Sequence, residues 1–291
     1  MDDLEVLATG PLTTVQDRGR PGFAALGVGR SGAADRHSHA LANRLLGNHE
    51  GAAALEVTLG GLSLRARGET WLAVTGANLD VLVDNGSGKH PIGMNAPFRL
   101  LSGDVVTLGM ARAGLRAYVA VRGGLDVPQT LGSRSTDTMS GLGPACLAVG
   151  DLVDVGPRPG DLPDIDVAAV AMPAADDVEL RILRGPRDNW VNDADALVHT
   201  RWQASDRSDR VGMRLSDNGS GLSHRESGRQ LPSEGIVRGA IQVPPSGEPV
   251  IFLADHPVTG GYPVVAVVVD EDVDLAAQIR PGQHIHLRWS R

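Results

Sequence analysis

Short runs that alternate apolar and polar residues, each closed by glycine or aspartate, constrain this chain more than any other feature. Between Glu50 and Gly156 they recur as LEVTLGGLSLRA, TWLAVTGANLDVLVD, FRLLSGDVVTLG, LRAYVAVRGG and CLAVGDLVDVG. A period of two sends successive side chains to opposite faces of a pleated strand, so each run predicts a short strand and each glycine a turn. In the first run Leu55, Val57 and Leu59 share one face, with Glu56 and Thr58 on the other. A glycine turn feeding a strand appears as SGDVVTL (102–108), VGDLVDV (149–155) and PGQHIHL (281–287). The expectation is a mainly β protein of two related barrels, the last copy closing the second one. Residues 157–177, rich in Pro, Asp and Ala, read as a linker between a first domain, 1–156, and a second, 178–291.

A few short helices interrupt this pattern. Asp35 is a predicted N-cap; Ala34, Leu41, Ala42, Leu45 and Leu46 form an apolar face, and Gly47 stops the helix. His37 and His39 fall on different faces of it, which excludes them as a metal pair. A second helix is expected from Asp188 to about Trp202, with Trp190, Ala194, Leu197, Val198 and Arg201 as its stripe. PVVAVVVD reads as a buried strand, DVDLAAQI as a short helix stopped by Pro281, and QHIHLRW as the last strand. There His284 and His286 share a face expected to meet water, so no metal is assigned to them.

Composition narrows the function. Aromatics make up 3% of the 291 residues, so the core must rest on Val, Leu, Ile and Ala. A net charge of −8 argues against nucleic acid and anionic membrane, both of which need clustered cations. No apolar run approaches the roughly 18 residues of a membrane span, MDDLEVLATG does not read as a signal peptide, and cytoplasm is the expected compartment. Cys146, the one cysteine, excludes an internal disulfide and a cysteine-based zinc site; its apolar run predicts a buried, inert thiol. Lys89 is the one lysine, and its GSGKH lacks the upstream Gly and the Ser/Thr of a phosphate-binding P-loop. Arginine and backbone N–H groups must therefore handle any phosphate. Gly27-Val-Gly29-Arg-Ser-Gly32 matches GxGxxG, but the preceding GFAAL is a poor strand, no βαβ rhythm follows, and Asp35 occupies the place of a pyrophosphate. Ser31, Ser140 and Ser233 adjoin glycines without completing the G-x-S-x-G of a nucleophile elbow.

Candidate chemistry concentrates in Leu231–Pro263. Glu234 precedes GIVRGAIQV, read as one strand carrying Arg238 and Gln242; VIFLA delivers Asp255 and His256; Gly260-Gly261-Tyr262-Pro263 offers bare backbone to a ligand. With Arg210 and Arg214 these residues suit stabilisation of an oxyanion or phosphoryl group, a carboxylate orienting water or accepting a proton. A plain hairpin with polar ends, or an ion-pair network joining loops, carries the same residue types. In the first half, Gln16, Asp17, Arg18 and Arg20 form an expected exposed polar loop.

TTVQDRGRPG, GAADRHSHALANRLLGN, AALEVTLGG, TGAN, YVAVRGGLDVP, SDRVGMRL, LPSEGIVRGAIQVPP and TGGYP, in this order, resemble the biotin-dependent carboxyltransferase / allophanate hydrolase subunit 2 family. Members include the C subunit of 5-oxoprolinase and the regulator KipA. The resemblance implies a pair of cyclophilin-like β-barrels. It also implies one of three roles. The first is ATP-dependent opening of the 5-oxoproline lactam to glutamate, with a KipI-like B component and a LamB/YcsF-like A component, ATP with Mg being bound at or shared with a partner. The second is carboxyl transfer from biotin, carried on another chain, in a urea carboxylase or urea amidolyase system. The third is a non-catalytic KipA-like regulatory partner. By the same resemblance Asp255, Glu234 and Gln242 are expected catalytic positions. Arg210, Arg238, Gly260, Gly261, Tyr262, Asp17, Arg18 and Asn78 are expected substrate or phosphate contacts. The roles implied are Arg210 and the 260–261 backbone on phosphate or carboxylate, Asp255 on water or metal-bound nucleotide, and Glu234 and Gln242 on the amide. The lactam reading ranks first, because the chain carries neither a biotin-accepting Met-Lys dipeptide nor a biotin carboxylase segment.

Overall fold

The computed structural model describes residues 3–217, 219, 221–226 and 228–290. The chain forms two units that are not contiguous in sequence. The first comprises Met1–Arg20, Asp35–Asp137 and Gly141–Pro173; the second comprises Pro21–Ala34, Thr138–Ser140 and Ala174–Arg291.

In the first unit the alternating runs become eleven strands: β1 (Asp3–Thr9), β2 (Leu12–Gln16), β3 (Ala54–Thr58), β4 (Leu62–Ala66), β5 (Thr70–Asn78), β6 (Val81–Asp84), β7 (Lys89–Ile92), β8 (Pro97–Leu100), β9 (Val105–Leu108), β10 (Ala113–Val121) and β11 (Leu152–Asp154). They form a six-stranded sheet, β11-β1-β4-β9-β6-β7, and a five-stranded one, β2-β3-β10-β5-β8. Alternate residues of both sheets, among them Val6, Leu64 and Val106 from one and Val57, Leu72 and Val119 from the other, share one core. The expected first barrel is thus two open sheets face to face. Leu59 leaves the predicted stripe: its φ of 62° ends β3 at Thr58.

The second face of the five-stranded sheet is covered by α1 (Arg36–Leu45), where Asp35 caps the helix by accepting from Ser38 N at 2.9 Å. Leu41, Ala42, Leu45 and Leu46 are buried as predicted. Polar bonds dock the helix as well. Tyr118 Oη donates to Glu56 Oε2 (2.8 Å) and accepts from Asp35 N (2.8 Å), while His39 Nε2 meets the Gln16 carbonyl at 3.1 Å. Burial pushes the His39 pKa down, and its backbone hydrogen bond to Gln16 only partly offsets this. Residues 157–173 contain no helix or strand and lie along this unit, Ala168 N donating to Asn95 O at 2.8 Å.

In the second unit β12 (Val178–Arg184), β13 (Arg201–Ala204), β14 (Gly212–Ser216), β16 (Ala240–Gln242), β17 (Val250–Phe252), β19 (Val264–Val268) and β20 (His284–Trp289) close a barrel in the order β12-β19-β16-β17-β14-β13-β20. The PGQHIHL copy does close it: β20 pairs in parallel with β12 and antiparallel with β13. Leu180, Ile182, Trp202, Leu215, Ile241, Ile251, Val265 and Ile285 fill the interior, joined by Leu197 of α2 (Ala196–His199) and Val273 of α3 (Asp270–Ala276). Outside the barrel β15 (Glu234–Gly235) and β18 (Thr259–Gly260) form a two-stranded ladder.

Three expectations need correction. The helix from Asp188 to Trp202 is only a 3-10 turn at Asp188–Trp190 and the single turn of α2. Val191 is extended, and Arg201 and Trp202 are drawn into the barrel by pairing with β20. GIVRGAIQV is not one strand. It breaks over 236–239, where Gly239 (φ 83°) takes a left-handed conformation and a side chain would meet Val273 at 2.8 Å. Cys146 is exposed, because its run forms a strand only at Leu152–Asp154. No helix among the described residues is long and apolar enough to cross a membrane.

Candidate functional site

Asp255 follows β17, and Arg210 precedes β14. Backbone pairing of these strands sets the two residues opposite each other, Asp255 N donating to Arg210 O at 3.0 Å. The side chains form a two-pronged ion pair, Nε–Oδ2 at 2.9 Å and Nη2–Oδ1 at 3.0 Å, with 2% of the arginine and 0% of the aspartate side chain exposed. Oδ1 also accepts from Ser31 Oγ (2.7 Å), and Oδ2 from Thr138 N (2.9 Å) and Thr138 Oγ1 (2.7 Å). Arg210 Nη2 donates to Gly32 O at 2.6 Å. Burial alone raises the Asp255 pKa, but the Arg210 charge and these hydrogen bonds more than reverse it, so the carboxyl is held below its usual range. Five donors fill a carboxylate with about four lone-pair sites. Asp255 thus ties Ser31 and Thr138, from two distant parts of the sequence, to the barrel, and has no site left for water or metal.

Glu234, Gln242, Gly260, Gly261 and Tyr262 come together elsewhere in the same unit. Glu234 pairs with Gly260 across the β15–β18 ladder. A Cβ on Gly260 would lie 2.7 Å from Gln242 Nε2, so the bare Cα is what lets that amide fit. Gln242 is 4% exposed, and its Nε2 donates to Tyr262 O at 2.9 Å. A carbonyl only accepts, which fixes the amide orientation and turns the Gln242 carbonyl oxygen away. That oxygen has no hydrogen bond among the described residues. At Gly261 a Cβ would meet only Leu231 O, at an ordinary 3.6 Å, and φ is not positive. The fold therefore does not require glycine there.

The sequence reading missed Arg187. Gly185 passes so close to β19 that a Cβ would lie 2.4 Å from Val264 O, and two residues later Arg187 N donates to that same carbonyl at 3.0 Å. The Arg187 guanidinium grips Glu234 with two prongs, Nε–Oε2 at 3.1 Å and Nη2 on Oε1. The Arg187 hydrogen bond holds the Glu234 carboxyl below its usual pKa, so the pair is ionised. Both side chains remain partly open, 37% for Arg187 and 31% for Glu234. The signal for Arg187 was only the end of an alternating run at Gly-Pro.

Arg238 is not part of this group: it binds Asp270 and Asp274 of α3 and the Ala34 carbonyl. Arg214 lies half-buried on β14. His256 bonds the Pro257 carbonyl at 2.8 Å through Nδ1. His286 meets Asp177 at 3.0 Å, and Arg201 with His286 lowers the Asp177 pKa to about 2.

The remaining expected positions belong to the first unit. Gln16, Asp17 and Arg20 are buried, not exposed as predicted, since they hydrogen-bond the 130–136 loop. Asp17 accepts from Gly19 N, Ser133 Oγ, Ser135 Oγ and Arg134 N at 2.5–2.7 Å. Arg18 is exposed and pairs with Glu50. Asn78 ends β5 half-buried, and its side-chain amide has no hydrogen bond among the described residues. A magnesium–nucleotide site needs carboxylate oxygens free for the cation. Asp17 and Asp255 have none to spare, and no cluster of three or more metal-ligating residues occurs among the described residues. These two carboxylates do not fit that group.

Residues 26–289 match the family model described as carboxyltransferase domain, subdomain A and B. The chain is 36% identical over 288 residues to the C subunit of 5-oxoprolinase from Escherichia coli, covering 97% of this chain and 90% of that protein. It is 32% identical over 309 residues to urea amidolyase of Lachancea kluyveri, again 97% of this chain but 16% of the relative. The solved structure of TTHA0988 superposes with a TM-score of 0.88 at 34% identity, over 99% of this chain and 55% of that one. The chain thus spans about half of that solved protein.

Proposed function

The chain belongs to the carboxyltransferase-domain family, subdomain A and B, and from that premise we propose that it is one subunit of an ATP-dependent lactam-opening complex converting 5-oxoproline to glutamate. The observation that carries this reading is the pairing of a buried Gln242 amide, its carbonyl oxygen free, with the partly open Arg187–Glu234 pair beside Gly260 and Gly261. A lactam presents an N–H donor, a carbonyl acceptor and, in 5-oxoproline, a carboxylate. The Gln242 oxygen suits the N–H, and arginine suits the carboxylate. Gly261 leaves room for a ring against the backbone. Near-complete coverage of the bacterial 5-oxoprolinase relative supports this assignment.

ATP supplies the activation that an unreactive amide oxygen needs. Since the Asp17 and Asp255 carboxylates are taken up by protein donors, the reading places ATP on the KipI-like or LamB/YcsF-like partner, in the cytoplasm. This chain binds and orients the lactam. Asp255 and Arg210 act at one remove, by holding the 21–34 and 138–140 segments in place. Family membership also supports reading both units as cyclophilin-like barrels, the first opened into two sheets.

The likeness to urea amidolyase favours one second reading, carboxyl transfer from biotin on another chain to a urea-type amide. The test combines this chain with both partner homologues, 5-oxoproline and ATP, omitting each protein in turn. Glutamate and ADP formation that needs all three is expected. Equal rates without this chain would overturn the proposal.

A further inference from the structure

Arg187 and Glu234 form the same two-pronged contact that an arginine makes with a ligand carboxylate, yet they make it at a partly open position. The surroundings explain why that contact is exchangeable. Glu234 sits on a two-residue strand outside the barrel, where it pairs with Gly260 and its neighbour Gly235 pairs with Thr259. Gly235 has nothing within 4 Å of where a side chain would be, and Gly261 only an ordinary contact, so one flank is bare backbone. Arg187, by contrast, is fixed by its backbone bond to β19 of the barrel. One partner is anchored and the other rides on a small ladder.

We propose that Arg187 is the carboxylate-binding residue of this site and that Glu234 is its resting counter-ion, displaced when a ligand carboxylate arrives. In the free protein the Glu234 carboxylate stands in for the ligand's. It keeps the guanidinium aimed, and prevents unspecific anions from occupying it. A ligand carrying both a carboxylate and an amide N–H can hold Arg187 and the free Gln242 oxygen together, which a simple anion cannot. The exchange costs little net charge separation, because one carboxylate replaces another on Arg187 and the displaced Glu234 is already partly open to solvent. This inference rests on the lactam reading for the identity of the ligand, not for the existence of the exchange.

The experiment uses the assembled three-protein complex and, separately, this chain alone. Losing a charge-assisted, two-pronged contact lowers affinity by roughly tenfold or more. Arg187→Gln is therefore expected to raise KM for 5-oxoproline at least about tenfold, with KM for ATP unchanged. Inhibition by 2-pyrrolidinone, the same ring without the carboxylate, should be equal in wild type and variant. Arg187→Lys keeps the charge without the fork and should fall between. Glu234→Gln removes the competitor and should lower KM for 5-oxoproline. A Glu234→Gln effect that matches Arg187→Gln, or an Arg187→Gln effect equal for both lactams, would overturn the exchange and leave a merely structural pair. The second arm needs no variant to fold: the Arg187 Nε–H resonance of wild-type chain should move on titration with 5-oxoproline and stay still with 2-pyrrolidinone. A still resonance in both cases overturns the inference. A resonance that moves in the chain alone, with no glutamate from the assembled complex, sinks the lactam-opening reading while this inference stands; turnover with an unmoved resonance and unchanged KM does the reverse.

Discussion

Replacing Asp255 by Asn separates a structural anchor from a catalytic acid. The side chain keeps its shape, but the negative charge facing Arg210 vanishes, and one of the two terminal atoms becomes a donor. If that atom takes the Oδ2 position it faces Arg210 Nε, Thr138 N and Thr138 Oγ1, all at 2.7–2.9 Å. Arg210, 2% exposed, is left as a buried charge without its carboxylate. Removing one partner of a buried ion pair costs about 3–5 kcal/mol, a large part of the ~5–15 kcal/mol that holds a domain folded. Three of the four tryptophans, Trp190, Trp202 and Trp289, lie in the second unit, so urea unfolding followed by fluorescence reads the loss where it occurs. Limited proteolysis should also cut faster within 21–32, since the Ser31 hydroxyl then bonds a neutral amide oxygen in place of a carboxylate. Adding Arg210→Met removes the stranded charge and should restore about 1–3 kcal/mol, a coupling expected of residues in contact. The pH dependence has a definite sign. The folded-state pKa lies below the unfolded value near 3.9, so this contribution is complete above about pH 4 and is lost as the pH falls through the folded pKa. A cost under about 1 kcal/mol, or additive effects in the double variant, would refute the reasoning. So would unchanged stability with abolished turnover, which would return Asp255 to the chemistry.

Two further predictions concern glycine and histidine. Gly260→Ala should displace the Gln242 amide from Tyr262 O and cost about 1–3 kcal/mol, whereas Gly261→Ala should leave stability within about 0.5 kcal/mol and raise KM for the lactam, as unfolding and kinetics on the two variants will show. His39 stays neutral when folded below the pH at which it protonates in the unfolded chain, so stability should fall as pH drops below about 6.5, a slope absent from His39→Asn. A slope that persists in the variant would assign it to other groups.

Much of the fold was legible because its signals were local. Period-two runs with glycine turns became strands, and α1 carried its cap, its stripe and its stop within 13 residues, Asp35 to Gly47. The expected second helix failed because Trp190 and Trp202 report burial, which a barrel interior supplies as well as a helix stripe. Cys146 failed for a related reason: an apolar run without strand partners stays at the surface. For the site, residue type pointed to Glu234, Gln242 and the Gly260–Gly261 loop, which the structure brings together. Type could not show that Asp17 and Asp255 are saturated with donors, because most of those donors lie over a hundred positions away. Nor could it show that Arg238 serves α3, whose acids follow some thirty residues later in the chain. Arg187 stood alone in GPRD, and only the path of Gly185 across β19 places it on Glu234.

The most direct test of the central claim is to follow glutamate release and carboxybiotin consumption in one preparation of this chain with its two partner homologues, supplied with ATP, 5-oxoproline, urea and carboxybiotin. The account predicts glutamate formed with ADP, dependent on this chain, while carboxybiotin persists. Carboxybiotin consumed in the presence of urea, with no glutamate, would contradict it and assign the chain to carboxyl transfer.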